Sequence, residues 1–308
     1  MKPRATFLYY FTLLALANLM WAAQGTAVKF LEPYMGPIAI TFAPFYFTTA
    51  LLVPLLIYKR RMNPDAVRPT WRDWGKFAAA GIFGQTLAQL GMTWGIVKSL
   101  ASNGAILNLL IPIITAVLAS FMLKERLTML RILCFAVGMV GVVLLSMPDF
   151  RQSSFGEMKY LAGNALIFGG CCGSSFYNTY CKGLLRRFQE VEILIFSYIT
   201  SAIFSIPLII WVEPFDMTVL GRMDWKAWAA FAFLALFMYG ASMLLFFAVL
   251  QHIDVTVASM SLYMVPVFGV ILAAVFVGER LGPTALIGAA IVLVATVLIM
   301  KYDSSAAA

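Results

Sequence analysis

The chain has 308 residues, 62% of them hydrophobic and 12% charged, where an ordinary soluble domain carries about 25% charged residues. With a mean hydropathy of +0.89, this composition excludes a soluble enzyme and implies a polytopic α-helical membrane protein. The formal charge of +8 is then a property of loops and helix ends, and no nucleic-acid partner follows from it.

Ten apolar stretches have the length to span a ~30 Å hydrocarbon layer: 8–28, 37–58, 76–97, 102–123, 129–147, 160–181, 192–212, 227–250, 255–277 and 283–300. The ~10-residue alternating segments of a membrane β-barrel are absent. The first stretch follows Lys2 and Arg4 and runs on without a small-residue cleavage site, so it reads as a retained membrane helix and not as a signal peptide. On it, Asn18 and Gln24 flank Trp21. Lys29 closes it, with Glu32 three residues on. Lys29 reads either as a lysine stretching its stem toward the interface or as a gate that binds a carboxylate.

Residues 59–75 form a hydrophilic loop. The third stretch carries Gln85 and Gln89, four residues apart and so on one helical face, and then Trp94. The fourth carries Asn103 and Asn108 before Pro112. A proline inside a helix removes one hydrogen bond and favours a kink. The fifth contains Gly138 and Gly141, and the tenth Gly288, small residues that permit close helix approach. The sixth carries Asn164, Tyr177, Asn178 and, at its end, Lys182. The eighth carries Tyr239 and Ser242, and the ninth Tyr263 and Pro266.

Amides facing lipid would lack partners, so these neutral polar groups are expected to face inward. Each alone reads equally well as glue between helices. Together, on stretches 1, 3, 4, 6, 8 and 9, they suggest the lining of a wet central cavity. The substrate-binding candidates are Asn18, Trp21, Gln24, Gln85, Gln89, Trp94, Asn108, Tyr177, Asn178, Tyr239, Ser242 and Tyr263. The gate or hinge candidates are Lys29, Pro112, Lys182 and Pro266. The four cysteines, Cys134, Cys171, Cys172 and Cys181, have neither metal-ligand nor disulfide spacing. One histidine, His252, cannot make a His-Glu metalloprotease, and no carboxylate falls near the middle of a stretch. No catalytic residue, metal or cofactor is expected, nor is a proton relay of the intramembrane carboxylate kind.

The chain also repeats itself. Asn108–Leu127 (NLLIPIITAVLASFMLKERL) and Leu262–Leu281 (LYMVPVFGVILAAVFVGERL) each place Glu-Arg-Leu after a proline, at an offset of 154. Pro54 and Pro207, and Lys29 and Lys182, match at 153, and Asp73-Trp74 matches Asp224-Trp225 at 151. Each Glu-Arg is expected to anchor a helix end, by capping loose carbonyls or by pairing across the turn. The units are expected at 1–148 and 159–303, with a connecting loop at 149–158 and a disordered tail at 304–308. Five helices per unit is an odd number, so the second unit enters the membrane from the opposite face. That is an inverted repeat, a construction suited to alternating access. With the amino terminus inside, fifteen of the 22 Lys and Arg residues fall on the inner side, so both termini are expected in the cytoplasm.

Ten helices in two units, with a proline and a closing Glu-Arg-Leu in each, resemble the drug/metabolite transporter superfamily and its EamA-type branch of bacterial metabolite exporters. NLMWAAQGTAVK in the first stretch resembles the Trp-containing start of that repeat. CCGSSFYNTYCK, its second copy, lacks the tryptophan. The resemblance implies a secondary transporter of the inner membrane with helices 5 and 10 as supports. It implies export of a small metabolite, with that solute and membrane lipid as the expected partners. The amides and aromatics favour an amino acid or a planar heterocycle, and the chain reads as a monomer. A membrane-integral enzyme acting on lipid, or a non-transporting receptor, is the alternative.

Overall fold

The structure is a computed structural model. It describes residues 3–99, 101–145, 158–213, 217–277 and 283–303, which contain helices and no strand. We label the helical stretches in chain order. Helix α1 covers 3–31 with an irregular turn at Ala23; α2 is Pro37–Met62; α3 covers 71–97; α4 covers 101–122 with a break at Leu109. Then come α5 (Met129–Leu145), α6 (Met158–Leu184), α7 (Glu190–Trp211) and α8 (Trp225–Leu250). Last are α9 (255–277), which narrows to a 3₁₀ turn at Ser261–Tyr263, and α10 (Pro283–Tyr302). Six are long and apolar enough to cross a membrane: Thr6–Leu31, α2, α7, α8, Val255–Leu272 and α10. Ile106–Met122 and α5 are shorter apolar helices.

The hydrophilic loop expected at 59–75 is shorter than its charges suggest. Helix α2 carries Lys59, Arg60 and Arg61 in its last turn, and α3 begins at Trp71. Two of these three charges are paired: Arg60 bonds the buried Glu192 at 2.9 Å, and Lys59 pairs with Glu190. Acids in the first turn of α7 and bases in the last turn of α2 also suit the two helix dipoles.

The starts of α3 and α8 correct one alignment. Thr70 caps α3 in a capping box with Asp73, and Asp224 caps α8 by accepting from the Ala227 N–H at 2.8 Å. The equivalent pair is therefore Thr70 and Asp224, at 154, and not Asp73 and Asp224 at 151. The same offset joins two π-helical segments, Ala80–Thr86 in α3 and Leu234–Ala241 in α8. It also joins the break at Leu109 to the 3₁₀ turn at Ser261–Tyr263.

Packing follows the duplication. Helix α5 lies on α10, α2 on α7, and α4 meets the start of α9; α1 packs on α8 and α9 as α6 packs on α3 and α4. The α5–α10 seam needs its glycines: a Cβ on Gly288 would stand 2.5 Å from the Gly141 carbonyl oxygen, and one on Gly141 2.9 Å from that of Gly288. Between α3 and α6 the same role falls to Gly91 and Gly170, where a Cβ on Gly91 would meet the Gly170 nitrogen at 2.6 Å. Both are the close small-residue crossings that lipid-embedded helices use.

Candidate functional site

The prolines do not kink unbroken helices. Pro112 and Pro266 each stand in the first turn of a restarted segment, Leu110–Met122 and Met264–Val277, where a missing N–H costs nothing. The irregularity lies just before them. Carbonyls along the α4 break are taken by side chains from elsewhere: Leu107 by the Cys171 thiol (3.4 Å), Leu109 by the Tyr263 hydroxyl (3.4 Å) and Ile111 by the Ser175 hydroxyl (3.0 Å). Tyr263 thus joins the irregular turn of α9 to its counterpart in α4. Asn108, half-buried, faces the Cys171 thiol.

Around these breaks the other candidates fall into small groups. Asn18 is fully buried. Its amide nitrogen donates to the Leu14 carbonyl and to Ser261 Oγ at 2.9 Å, and its side-chain carbonyl oxygen has no partner among the described residues. Trp21 packs edge-on against Phe246 at 5.3 Å between ring centres, Phe246 lies 6.5 Å from Phe247, and Phe247 stacks on Tyr177 at 5.8 Å. Four rings therefore run from α1 through α8 to α6. The Tyr177 hydroxyl shares a hydrogen with Ser197 Oγ (3.0 Å), and Gln85 approaches the same hydroxyl. Tyr239 sits against Phe45, and its carbonyl accepts from Tyr198. Ser242 bonds back to the Met238 carbonyl. Gln24, Gln89 and Trp94 are half-buried and Asn178 is buried; none of the four forms a side-chain hydrogen bond among the described residues.

The paired lysines differ. Lys182 donates to the Ile253 carbonyl at 3.0 Å and to that of Leu250, so its ammonium closes the carbonyl end of α8, where a cation is favoured. Lys29 is exposed and forms no hydrogen bond or ion pair among the described residues.

Of the two roles expected for Glu-Arg, pairing across the turn agrees with the 3.8 Å approach of Glu125 to Arg131, whereas capping carbonyls is not what Glu125 does. Glu125 accepts from the Val255 and Thr256 N–H groups (2.9 and 3.0 Å) and from Thr256 Oγ1 (2.6 Å). It caps free N–H groups of α9, in the other half of the chain; a carboxylate has no proton to give a carbonyl. Glu279, Arg280 and Leu281 lie outside the described residues. Beside Glu125 is a group that the sequence reading passed over. Arg131, buried at the start of α5, bonds Asp303 at 2.8 Å and Asp254 at 2.6 Å and comes within 3.8 Å of Glu125. An arginine inside the apolar run MLRILCF was the available signal, since a buried guanidinium demands anionic partners.

A model of the EamA-like transporter family matches residues 8–147 and 161–301. An uncharacterised transporter from Archaeoglobus fulgidus is 23% identical over 94% of this chain and 97% of its own length. A probable terminal-alkyne amino-acid exporter from Streptantibioticus cattleyicolor is 25% identical over 76% and 75%. An S-adenosylmethionine uptake transporter from Rickettsia conorii is 23% identical over 93% and 90%. A solved crystal structure, 18% identical, superposes with a TM-score of 0.77 over 96% of this chain and 97% of that one, a likeness of fold.

Proposed function

The chain belongs to the EamA-like transporter family, and from that premise we propose that it is a secondary exporter of a small metabolite, working by alternating access between two inverted five-helix repeats. It is a multi-pass membrane transporter. The finer reading has ten crossing helices, both termini in the cytoplasm of the inner membrane, and the solute path between α1, α8 and α9 on one side and α3, α4 and α6 on the other. The observation that carries it is the doubled irregularity. A π segment and a helix break recur at an offset of 154, on helices that pack against the opposite half. Such segments often mark functional sites in helices, and broken helices recur at the centres of inverted-repeat transporters.

The solute favoured is an amino acid or a molecule carrying a flat heterocycle. In support, the relatives named above include one named for an amino acid and one for S-adenosylmethionine, which carries both an amino-acid group and a purine. Unpaired Gln24, Gln89 and Asn178 supply amide donors and acceptors, and the ring run from Trp21 to Tyr177 supplies stacking faces. Lys182 and Lys29 act as the inner and outer gates, the first engaged and the second without a side-chain partner among the described residues. Uptake is the second reading, favoured by the name of the Rickettsia relative. Purified protein in liposomes, offered labelled amino acids and purines without ATP, tests the proposal. Saturable flux supports it; no flux and no binding across the panel refutes it.

A further inference from the structure

At the end of the molecule where α3 begins and α4 and α6 end lies a cleft of about 350 Å³, bordered by Lys76, Met122, Leu123, Thr179, Leu184 and Arg187. Its volume is within the range of small-molecule sites. Three observations bear on what fills it. The first is charge. Lys76 and Arg187, 44% and 46% exposed, both lean on a single carboxylate oxygen, Asp73 Oδ1, at 2.9 and 3.2 Å. The other oxygen of Asp73 is occupied by the Thr70 N–H and hydroxyl. One anion therefore serves two cations, and among the described residues no acidic side chain lines the cleft. An ammonium has three donors and a guanidinium five, so most of theirs remain free at the mouth.

The second is an orphan hydroxyl. Thr179 is fully buried, lines the cleft, and its Oγ1 has no hydrogen-bond partner among the described residues. In hydrocarbon an unpaired hydroxyl costs free energy that a ligand's acceptor would recover. The third is the surroundings. Phe121, next to Met122, is 80% exposed, and Phe83 and Leu87 on α3 are exposed as well. In a membrane protein such side chains meet acyl chains, so the cleft opens toward the bilayer at the level of its polar boundary. Nor is the charge a by-product of the duplication, since the offset of 154 that relates the two halves carries Lys76 onto Ala230.

We propose that this cleft is a binding site for an anionic phospholipid of the adjacent leaflet. The head-group phosphate takes the free donors of Lys76 and Arg187. The glycerol ester carbonyl accepts from Thr179, and the upper acyl chain lies on Met122, Leu123 and Leu184. The site rests on the chain spanning a membrane. Anionic lipid held here bridges α3, α4 and α6.

Native mass spectrometry of the detergent-purified protein with added phosphatidylglycerol or phosphatidylcholine is the test. Phosphatidylglycerol is expected to be retained on the wild type about tenfold more strongly than phosphatidylcholine, whose phosphate is the same but whose choline cation is brought up against Lys76 and Arg187, a like-charge contact that costs about 1.4 kcal/mol at this ratio. Lys76→Gln/Arg187→Gln should abolish the preference. Thr179→Val, which breaks no existing hydrogen bond, should weaken phosphatidylglycerol retention several-fold with an unchanged melting temperature. Arg222→Gln/Lys226→Gln, at the start of α8, should change nothing. Equal retention of the two lipids overturns the proposal, as does an undiminished preference in the cleft variants. Competition by glycerol phosphate as effective as by the lipid would make the cleft a soluble-anion site and also overturn it. If the double variant fails to fold, Thr179→Val alone decides.

Discussion

Lys124 holds a left-handed backbone conformation, φ 60°, just past the end of α4, and the residue 154 positions on is Gly278. Glycine takes this conformation freely, while a side chain pays about 1 kcal/mol. Lys124→Gly should therefore stabilise the protein by up to about 1 kcal/mol, read as a raised melting temperature in detergent; a lowered one would mean that the side chain holds something. Asp73 is the second case. A hydrogen bond from Lys76, then those from Thr70, hold its carboxyl well below the usual range. A depressed folded-state value gives stability that is present above the unfolded value of about 3.9 and is lost as pH falls through the folded one. Asp73→Asn should lower the melting temperature at pH 7 by an amount that is constant from pH 5 to 8 and shrinks only below about pH 4. A penalty that changes between pH 6 and 8 would refute the assignment. Arg131 is the third. With Asp254, Asp303 and Glu125 around it, Arg131→Met leaves three acids without their cation and should cost about 3–5 kcal/mol, measured by thermal or denaturant unfolding.

Individual helices were legible in the sequence where apolar length alone sets them. The expected 192–212, 227–250 and 255–277 lie within two residues of α7, α8 and α9. Their ends were less so, because α2 continues through Lys59, Arg60 and Arg61. Those charges look like loop until Glu190 and Glu192, 131 and 132 residues away, are placed beside them. Pro112 and Pro266 marked the right region of α4 and α9 and suggested the wrong geometry. The break precedes them and is tolerated because Cys171, Ser175 and Tyr263 supply donors from other helices, a tertiary fact invisible to local pattern. The π segments had no sequence signature. The glycines of α5 and α10 did as a sign of close helix approach, and the structure adds that Gly141 and Gly288 meet each other. Gly288→Ala should prise α5 from α10 and lower the melting temperature sharply, since the new methyl would meet backbone and not a movable side chain. Normal expression and stability of that variant would contradict the seam.

At the scale of the molecule, duplication was the most informative feature of the sequence, and it predicts paired behaviour. Glu125 caps a helix of the other half, and Lys182 holds the carbonyl end of α8 while the Lys29 ammonium forms no bond among the described residues. If these lysines are gates, Lys182→Gln should raise the accessibility of cytoplasmic-side thiol probes to Cys181, and Lys29→Gln should leave it unchanged. Equal labelling of both variants and the wild type would remove the gate role. Which candidate side chains touch solute was not legible, because Asn18, Tyr239, Ser242 and Tyr263 have the same polar chemistry as Gln24 and Gln89 and yet are buried in packing. Burial depends on rotation about the helix axis in an assembly of many helices. The central claim is that the chain moves a small solute between its halves without ATP, and amino-acid flux into sealed proteoliposomes tests it most directly. The account predicts saturable flux that survives an uncoupler and falls about tenfold in Gln89→Ala with an unchanged melting temperature. Flux that stops when the proton gradient is dissipated, or that is unaltered in the Gln89→Ala protein, would contradict it.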